Sequence, residues 1–293
     1  MILLTGATGT LGKPLLTRLT GAGEKVRVLV REPRRLGPQR VKVQIAIGNL
    51  ADRHGFDKAM RGVDTLIHLG ATTRDQARGS IQEVNGLATN RLLSAAKRAG
   101  VKRVVYVSSI GASPFSKSRF IRMQALSRDA ILGSGLDPLV FDASIIYAPD
   151  DSWISLLRKL SRLPVMPVPG DGTSQFQPIW AEDAADALTS AILNDVTTPD
   201  RGLALVGPEV LTHDQILETA LRNFGAHKRL LHISPKWSRR LLYAQEAYLG
   251  PSALATWGEA QLMQLSSVTT RGTADMRELG VDPIRLADVL SPS

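Results

Sequence analysis

Thr5-Gly6-Ala7-Thr8-Gly9-Thr10-Leu11-Gly12 follows a short apolar strand, Ile2 to Leu4, and runs straight into a helical pattern. A turn of this kind needs glycine at three points. Gly6 lets the chain reverse tightly, Gly9 lets a pyrophosphate approach the backbone, and Gly12 lets the helix pack on the strand. The helix N-terminus then offers free N–H groups and a partial positive charge to phosphates. A second strand, Lys25 to Val30, follows about 20 residues on, as a βαβ unit requires. The stretch reads as a dinucleotide-binding turn, with Gly6, Thr8, Gly9, Thr10, Leu11 and Gly12 around the phosphates.

Outward from the turn, strand-like and helical runs alternate. Strands are predicted at Ile2–Leu4, Val26–Val30, Val43–Ile47, Thr65–Leu69, Arg103–Ser108 and Leu139–Phe141. Helices are predicted near Lys13–Gly21, Gly55–Arg61, Ile81–Ala99 and Met123–Ser134. Alternation of this sort specifies a parallel sheet with helices on both faces. Beyond Tyr147 it breaks down. Pro164, Pro167, Pro169 and Gly170 mark an irregular segment, after which Phe176–Trp180 leads into a helix near Glu182–Leu193. From about Arg201 the pattern is mainly helical, with helices expected at His213–Phe224, Lys236–Tyr248 and Pro251–Leu265. The fold class is therefore α/β: a Rossmann-type doubly wound parallel sheet with a smaller, mainly helical C-terminal substrate lobe. The core takes residues 1–147 and the returning 174–200; the lobe takes 148–173 and 201–293.

Composition narrows the class further. The chain has 293 residues, a net charge of +9 and no cysteine, which excludes disulfides, thiol nucleophiles and cysteine-ligated metal. Its five histidines are scattered and show no paired ligand spacing, so no metal site is expected. No apolar stretch reaches the ~18 residues of a membrane span, and a strand at the very start leaves no room for a signal peptide, so a cytoplasmic protein is expected. The first fifty residues hold nine Lys or Arg against Glu24 and Glu32. Positive charge thus gathers beside the phosphate turn, where an anionic cofactor explains it. Nucleic acid is not expected, because no binding motif and few stacking aromatics are present. In the lobe, Lys236–Tyr248 sets Trp237, Leu241, Leu242 and Tyr248 beside Lys236, Arg239 and Arg240. That pattern fits either an ordinary amphipathic helix packed on the lobe or an interfacial helix at a membrane surface or membrane complex.

Ordered landmarks continue along nearly the whole chain: Gly48-Asn49-Leu50, Gly62-Val63-Asp64 through His68-Leu69-Gly70-Ala71, and Gly100-Val101-Lys102 through Tyr106-Val107-Ser108-Ser109. Ser134-Gly135-Leu136, Ile145 to Ser152, Phe176 to Ala185 and Gly207 to Thr212 complete the order. In these the sequence resembles the atypical extended short-chain dehydrogenase/reductases, in particular the branch containing the nucleotide-binding accessory subunit of respiratory complex I and its bacterial relatives. The resemblance implies adenine near Asn49 and Leu50, and nicotinamide near Gly70, Ala71, Ser108 and Ser144. Asn49 stands where relatives keep an acid. At the end of the second strand, where NAD users place an acid on the ribose, this chain has Arg31, followed by Arg34. Guanidinium groups there clamp a 2′-phosphate, so NADP(H) is expected over NAD(H), with Glu32 turned inward as the alternative.

Catalysis in that superfamily needs a Tyr and, four residues on, a Lys on one helix face. Counting back from Ser134-Gly135-Leu136, those places hold Phe120 and Gln124, neither of which titrates. Asp142 likewise replaces the usual Arg at the end of the sixth strand, and a neighbouring Arg is its expected partner. Ser109, Tyr147 and Lys117 are the remaining candidates for catalysis, each with a plain structural alternative. Two functions fit these residues. One is an NAD(P)H-dependent reductase of a quinone or similar acceptor that takes its proton from water; the other is a non-catalytic cofactor-binding sensor or accessory protein of a membrane complex. Either has room for a small or lipid-like ligand between core and lobe.

Overall fold

The computed structural model describes residues 1–52, 56–197 and 202–291. The core alternates β1 (Ile2–Thr5), α1 (Gly12–Gly21), β2 (Val26–Val30), β3 (Gln44–Ile47), α2 (Phe56–Ala59), β4 (Thr65–His68), α3 (Ala88–Ala99), β5 (Arg103–Ser109), α4 (Arg119–Leu132) and β6 (Asp137–Ala143). Next come β7 (Ile146–Tyr147), α5 (Ser152–Leu160), β8 (Val165–Pro169), β9 (Gln175–Phe176), β10 (Ile179–Trp180), α6 (Ala181–Leu193), β11 (Leu203–Leu205) and β12 (Leu211–Thr212). The chain then builds α7 (His213–Asn223), β13 (Arg229–Ile233), α8 (Pro235–Leu249), α9 (Trp257–Leu262), α10 (Ala274–Glu278) and α11 (Leu286–Leu290). No helix among the described residues is long and apolar enough to cross a membrane.

Seven parallel strands form the core sheet in the order β11-β6-β5-β4-β1-β2-β3, with Ile2 opposite both Val26 and Thr65. The order reverses between β1 and β4, which opens a crevice at the carboxyl ends of those strands. Both faces are covered, so the strands are continuous apolar runs whose neighbours alternate sides. Leu4, Ile67, Val105 and Phe141 pack under α1 and α6, while Leu3, Leu66, Val104 and Val140 pack under α3 and α4. The expected Rossmann-type sheet with a mostly helical C-terminal lobe is what the chain forms. A separate cluster around Tyr147, Phe176, Ile216 and Leu217 makes the lobe core.

Several expected elements differ. α4 starts at Arg119, four residues before the predicted Met123, because Ser118 caps it by accepting from the Ile121 N–H. The helix expected at Ile81–Ala99 begins with a π-helical stretch, Gln82–Leu87, before α3. Leu203–Leu205, read as part of the helical run, is an edge strand of the core sheet beside β6. The single helix expected over Pro251–Leu265 is broken into a 3-10 turn at Gly250–Ser252 and the short α9, whose start is fixed by a Thr256/Glu259 capping box. Gly55, the expected start of the second helix, lies outside the described residues, as do 198–200 and Arg201.

Candidate functional site

Sterics alone select the glycines of the first turn. Gly6 has φ +75°, and a Cβ there would sit 2.7 Å from the Leu69 carbonyl carbon. A Cβ on Gly12 would lie 2.0 Å from the Gly6 oxygen, inside the turn itself. The Gly9 N–H closes the turn on that same oxygen at 2.9 Å. Leu11, at the N-cap of α1, offers no side-chain acceptor, and the first turn carries no acid. The Lys13 N–H is taken by the Gly9 carbonyl at 3.2 Å and Pro14 has none, so no side chain of α1's own start opposes its positive end, which suits a phosphate. Across the crevice, Leu50 and Gly70 meet: a Cβ on Gly70 would lie 2.3 Å from Leu50 Cδ1.

A buried polar chain, which sequence reading missed, holds the loop after β4. The Gly70 N–H donates to Thr5 Oγ1 at 3.3 Å, and Thr5 Oγ1 lies 2.8 Å from His68 Nδ1. His68 Nε2 lies 3.1 Å from Thr89 Oγ1, and Thr89 donates to the Asn85 carbonyl at 2.7 Å. Burial pushes the His68 pKa down to about 4, so the ring is neutral and its two nitrogens play opposite roles. Asn85 in turn binds the Thr72 backbone at both ends of its amide, each at 2.8 Å. The strand expected over Thr65–Leu69 gave no hint of this role for His68. Asn85 and Thr89 at a spacing of four were the available signal.

At the other end of the crevice, Arg31 leaves β2 and donates to Gln76 Oε1 at 2.6 Å, bridging to the loop after β4. Arg34 is exposed on the following segment. Asn49 accepts from the Ala51 N–H and donates to the Arg78 carbonyl, each at 3.2 Å, which fixes the loop after β3 to the same β4 loop.

The catalytic candidates do not converge. A cavity of about 730 Å³ opens beside the β4 loop and is lined by Thr73, Asp75, Lys117 and Phe120 from the core and by Tyr243 and Trp257 from the lobe. Lys117 and Phe120 are thus brought together, whereas Ser109 and Tyr147 lie outside the lining. Tyr147 is fully buried, its hydroxyl has no partner, and burial drives its pKa upward. It belongs to the lobe core. Ser109 is half-buried at the end of β5, with its carbonyl receiving the Ala112 N–H at 3.0 Å. Ser144 is engaged in the fold: it donates to the Ser267 carbonyl at 2.8 Å and accepts from the Gln177 N–H at 3.0 Å. Ser108 differs, because its Oγ is buried and has no hydrogen-bond partner among the described residues. Such a hydroxyl at a strand's carboxyl end fits a site that supplies the missing partner from a ligand.

Gln124 is buried and accepts the Tyr106 hydroxyl hydrogen, so its amide turns into the core. Asp142 finds Arg128 at 3.3 Å, which identifies the expected partner; burial outweighs that cation and holds its carboxyl above the usual range. A clamp closes the lobe on the core. Arg74, just after β4, donates from two nitrogens to Glu259 of α9 at 2.8 and 2.7 Å and also reaches the Ala253 carbonyl.

Residues 6–133 match the NAD(P)H-binding family model. Among curated proteins, the chain is 27% identical over 225 residues to the mitochondrial "NADH dehydrogenase [ubiquinone] 1 alpha subcomplex subunit 9" of Arabidopsis thaliana, covering 73% of this chain and 55% of that protein. It is 29% identical over 238 residues to a ceramide reductase of Caulobacter vibrioides, covering 80% of this chain and 73% of the other. The match thus spans little more than half of the Arabidopsis protein. Among solved structures, an NADPH-dependent quinone oxidoreductase from Escherichia coli superimposes with a TM-score of 0.74 at 18% identity, covering 99% of this chain and 98% of that one. The chain is an NAD(P)-binding Rossmann-fold protein, related distantly to short-chain dehydrogenase/reductase-like enzymes and weakly to a complex I accessory subunit.

Proposed function

We propose that this chain is an NADPH-dependent reductase of a quinone or similar flat conjugated acceptor, working without the usual Tyr/Lys pair. The observation that carries the reading is the cavity of about 730 Å³ beside the β4 loop, walled by Phe120 where an acid would otherwise stand. That volume suits a small-molecule ligand, and an aromatic wall suits a planar one. Hydride is what NADPH supplies when bound. A quinone that accepts it needs one further proton to become the hydroquinone, and water reaching the cavity provides it, so neither a phenol nor an ammonium is required.

In this reading Gly6, Thr8, Gly9, Thr10, Leu11 and Gly12 hold the pyrophosphate. Asn49 and Leu50 flank the adenine, while Gly70, Ala71, Ser108 and Ser144 surround the nicotinamide. Arg31 and Arg34 select NADP(H) through its 2′-phosphate, with Arg31 exchanging Gln76 for the phosphate. Of Ser109, Tyr147 and Lys117, Lys117 is the one on the cavity wall, and it positions the acceptor. The ceramide substrate named for the Caulobacter relative supports a lipid-like acceptor, and with it a cytoplasmic protein peripheral to a membrane.

The second reading, a non-catalytic NADP(H)-binding accessory or sensor protein, is favoured by one observation: Gln124 is turned away from the crevice toward Tyr106. NADPH absorbance followed with a panel of quinones and carbonyls separates the two. Turnover with quinones and not with simple carbonyls is the expected result. Tight NADPH binding with no turnover across the panel would leave the second reading, and no NADPH binding would defeat both.

A further inference from the structure

Of the fifteen residues of α8, only Ser238 is buried. The helix packs against α9 and the Gly250–Ser252 turn, with Leu242, Gln245 and Glu246 half-buried, and leaves its other residues exposed. Trp237, Leu241, Ala244 and Tyr248 recur at spacings of four, three and four, which aligns them in one stripe along the helix. That stripe faces solvent: Trp237 is 60% exposed, Leu241 57% and Tyr248 90%. Lys236 and Arg240 flank it on one side, and the Arg240 guanidinium lies 5.4 Å over the Trp237 ring. Opposite the stripe, Tyr243 and Glu246 line the cavity.

Charge complementarity identifies what covers such a stripe. Between Glu218 and Glu246 the sequence holds six cations and no acid: Arg222, Lys228, Arg229, Lys236, Arg239 and Arg240. Glu246 itself is occupied by the Trp257 N–H at 2.6 Å. On the neighbouring strand β13, Arg229 is exposed and Leu231 is 49% exposed. Aromatic and aliphatic side chains framed by cations match the boundary between acyl chains and anionic headgroups, and the nearby Asp214 carboxylate is engaged by His232 at 2.9 Å.

We infer that α8 lies in the surface of an anionic phospholipid bilayer, with Trp237, Leu241 and Tyr248 in the acyl boundary and Lys236 and Arg240 on the headgroups. Docking of this kind rests on the membrane-peripheral reading above and extends it. Tyr243 and Glu246, on the opposite side of the same helix, wall the cavity, which puts it about one helix diameter from the bilayer surface.

Flotation of the full chain with vesicles tests this. Phosphatidylcholine vesicles alone should leave the protein in the soluble fraction, and vesicles containing phosphatidylglycerol should carry it up, less so at high salt. A Trp237→Ala/Leu241→Ala/Tyr248→Ala variant and a Lys236→Glu/Arg240→Glu variant should each lower the floated fraction about tenfold or more. All three stripe residues are exposed, so folding is retained, and NADPH affinity measured in parallel should stay within about twofold of wild type. Failure of the wild type to float with anionic vesicles overturns the inference, as does unchanged flotation of the triple variant. A soluble dimer that disappears in the triple variant, without flotation, would assign the stripe to a second copy of the chain. Turnover of a water-soluble quinone is independent of docking, so its loss would defeat the reductase reading and leave flotation standing.

Discussion

Tyr106 donates its hydroxyl hydrogen to the Gln124 amide oxygen in the seam between β5 and α4. The position that would carry an ammonium toward the cofactor therefore serves the core instead. Each partner holds the other's polar atom out of water, so removing one leaves a buried group unsatisfied. Tyr106→Phe and Gln124→Leu should each lower unfolding free energy by about 1–2 kcal/mol, and the double variant should cost about 1 kcal/mol less than the sum. Urea denaturation of the four proteins measures the coupling. Strict additivity would show that the two side chains do not act as a pair. Gln124→Lys should be worse than either single variant, since an ammonium would replace the amide against the phenol.

Arg31 faces a choice between Gln76 and a ribose phosphate. Arg31→Asp should weaken NADPH binding about ten- to a hundredfold, the worth of a lost charge-assisted contact, while NADH affinity changes by only a few-fold. Gln76→Ala removes the internal competitor and should tighten NADPH slightly. Fluorescence titration of both cofactors is the measurement; equal affinity for the two in wild type would sink the preference.

Two glycines of α1 should respond with opposite signs. At Gly12 a methyl group would overlap the Gly6 oxygen, so Gly12→Ala must open the turn and should cost more than about 2 kcal/mol while abolishing cofactor binding. At Gly21 nothing lies within 4 Å of a built Cβ, and φ is not positive. Gly21→Ala should instead stabilise by about 0.5–1 kcal/mol. Thermal melts with and without NADPH distinguish the two, and stabilisation by Gly12→Ala would contradict the packing described.

Acid should weaken the fold through its two buried histidines. Burial holds His68 and His213 neutral, each with a pKa down to about 4 against an ordinary 6.5. Between those values the unfolded chain binds protons that the native chain refuses, so stability rises with pH across that window. Its histidine contribution is fully present above about 6.5 and is lost as pH falls toward 4. Lowering pH from 7.5 to 5 should remove on the order of 2 kcal/mol for each ring. His68→Gln should show roughly half of the wild-type loss; an unchanged pH slope would place the sensitivity elsewhere.

Central strands such as β1, β4 and β5 were legible because both of their faces are buried, which makes them apolar runs between turn residues. Gly6, Gly9 and Gly12 were legible because local sterics alone dictate them. Helix starts were harder: Ser118 caps α4 from within a Ser-rich loop, where Ser113, Ser116 and Ser118 look alike in sequence. Thr256 and Glu259 carried a capping-box spacing that would have broken the Pro251–Leu265 run, but Pro251 at a plausible helix start masked it. Leu203–Leu205 is three apolar residues, too short for any period, and becomes a strand only because β6 offers an open edge. At the site, the Thr5–His68–Thr89–Asn85 chain and the Arg31–Gln76 bridge join residues far apart in sequence. Only the sheet order brings them together.

Core and lobe are stitched through one another. β11 leaves the C-terminal half to complete the core sheet, and buried Asp275 of α10 holds it there by accepting the Ala204 N–H at 2.8 Å. Ser267, on the segment entering from α9, is tied to Ser144 and to the Gln175 carbonyl. A lobe threaded in this way cannot be inherited as a cassette, since exchanging it between relatives would require several matched joints at once. Ligand choice in such a protein diverges by replacing side chains around a fixed wall, one residue at a time.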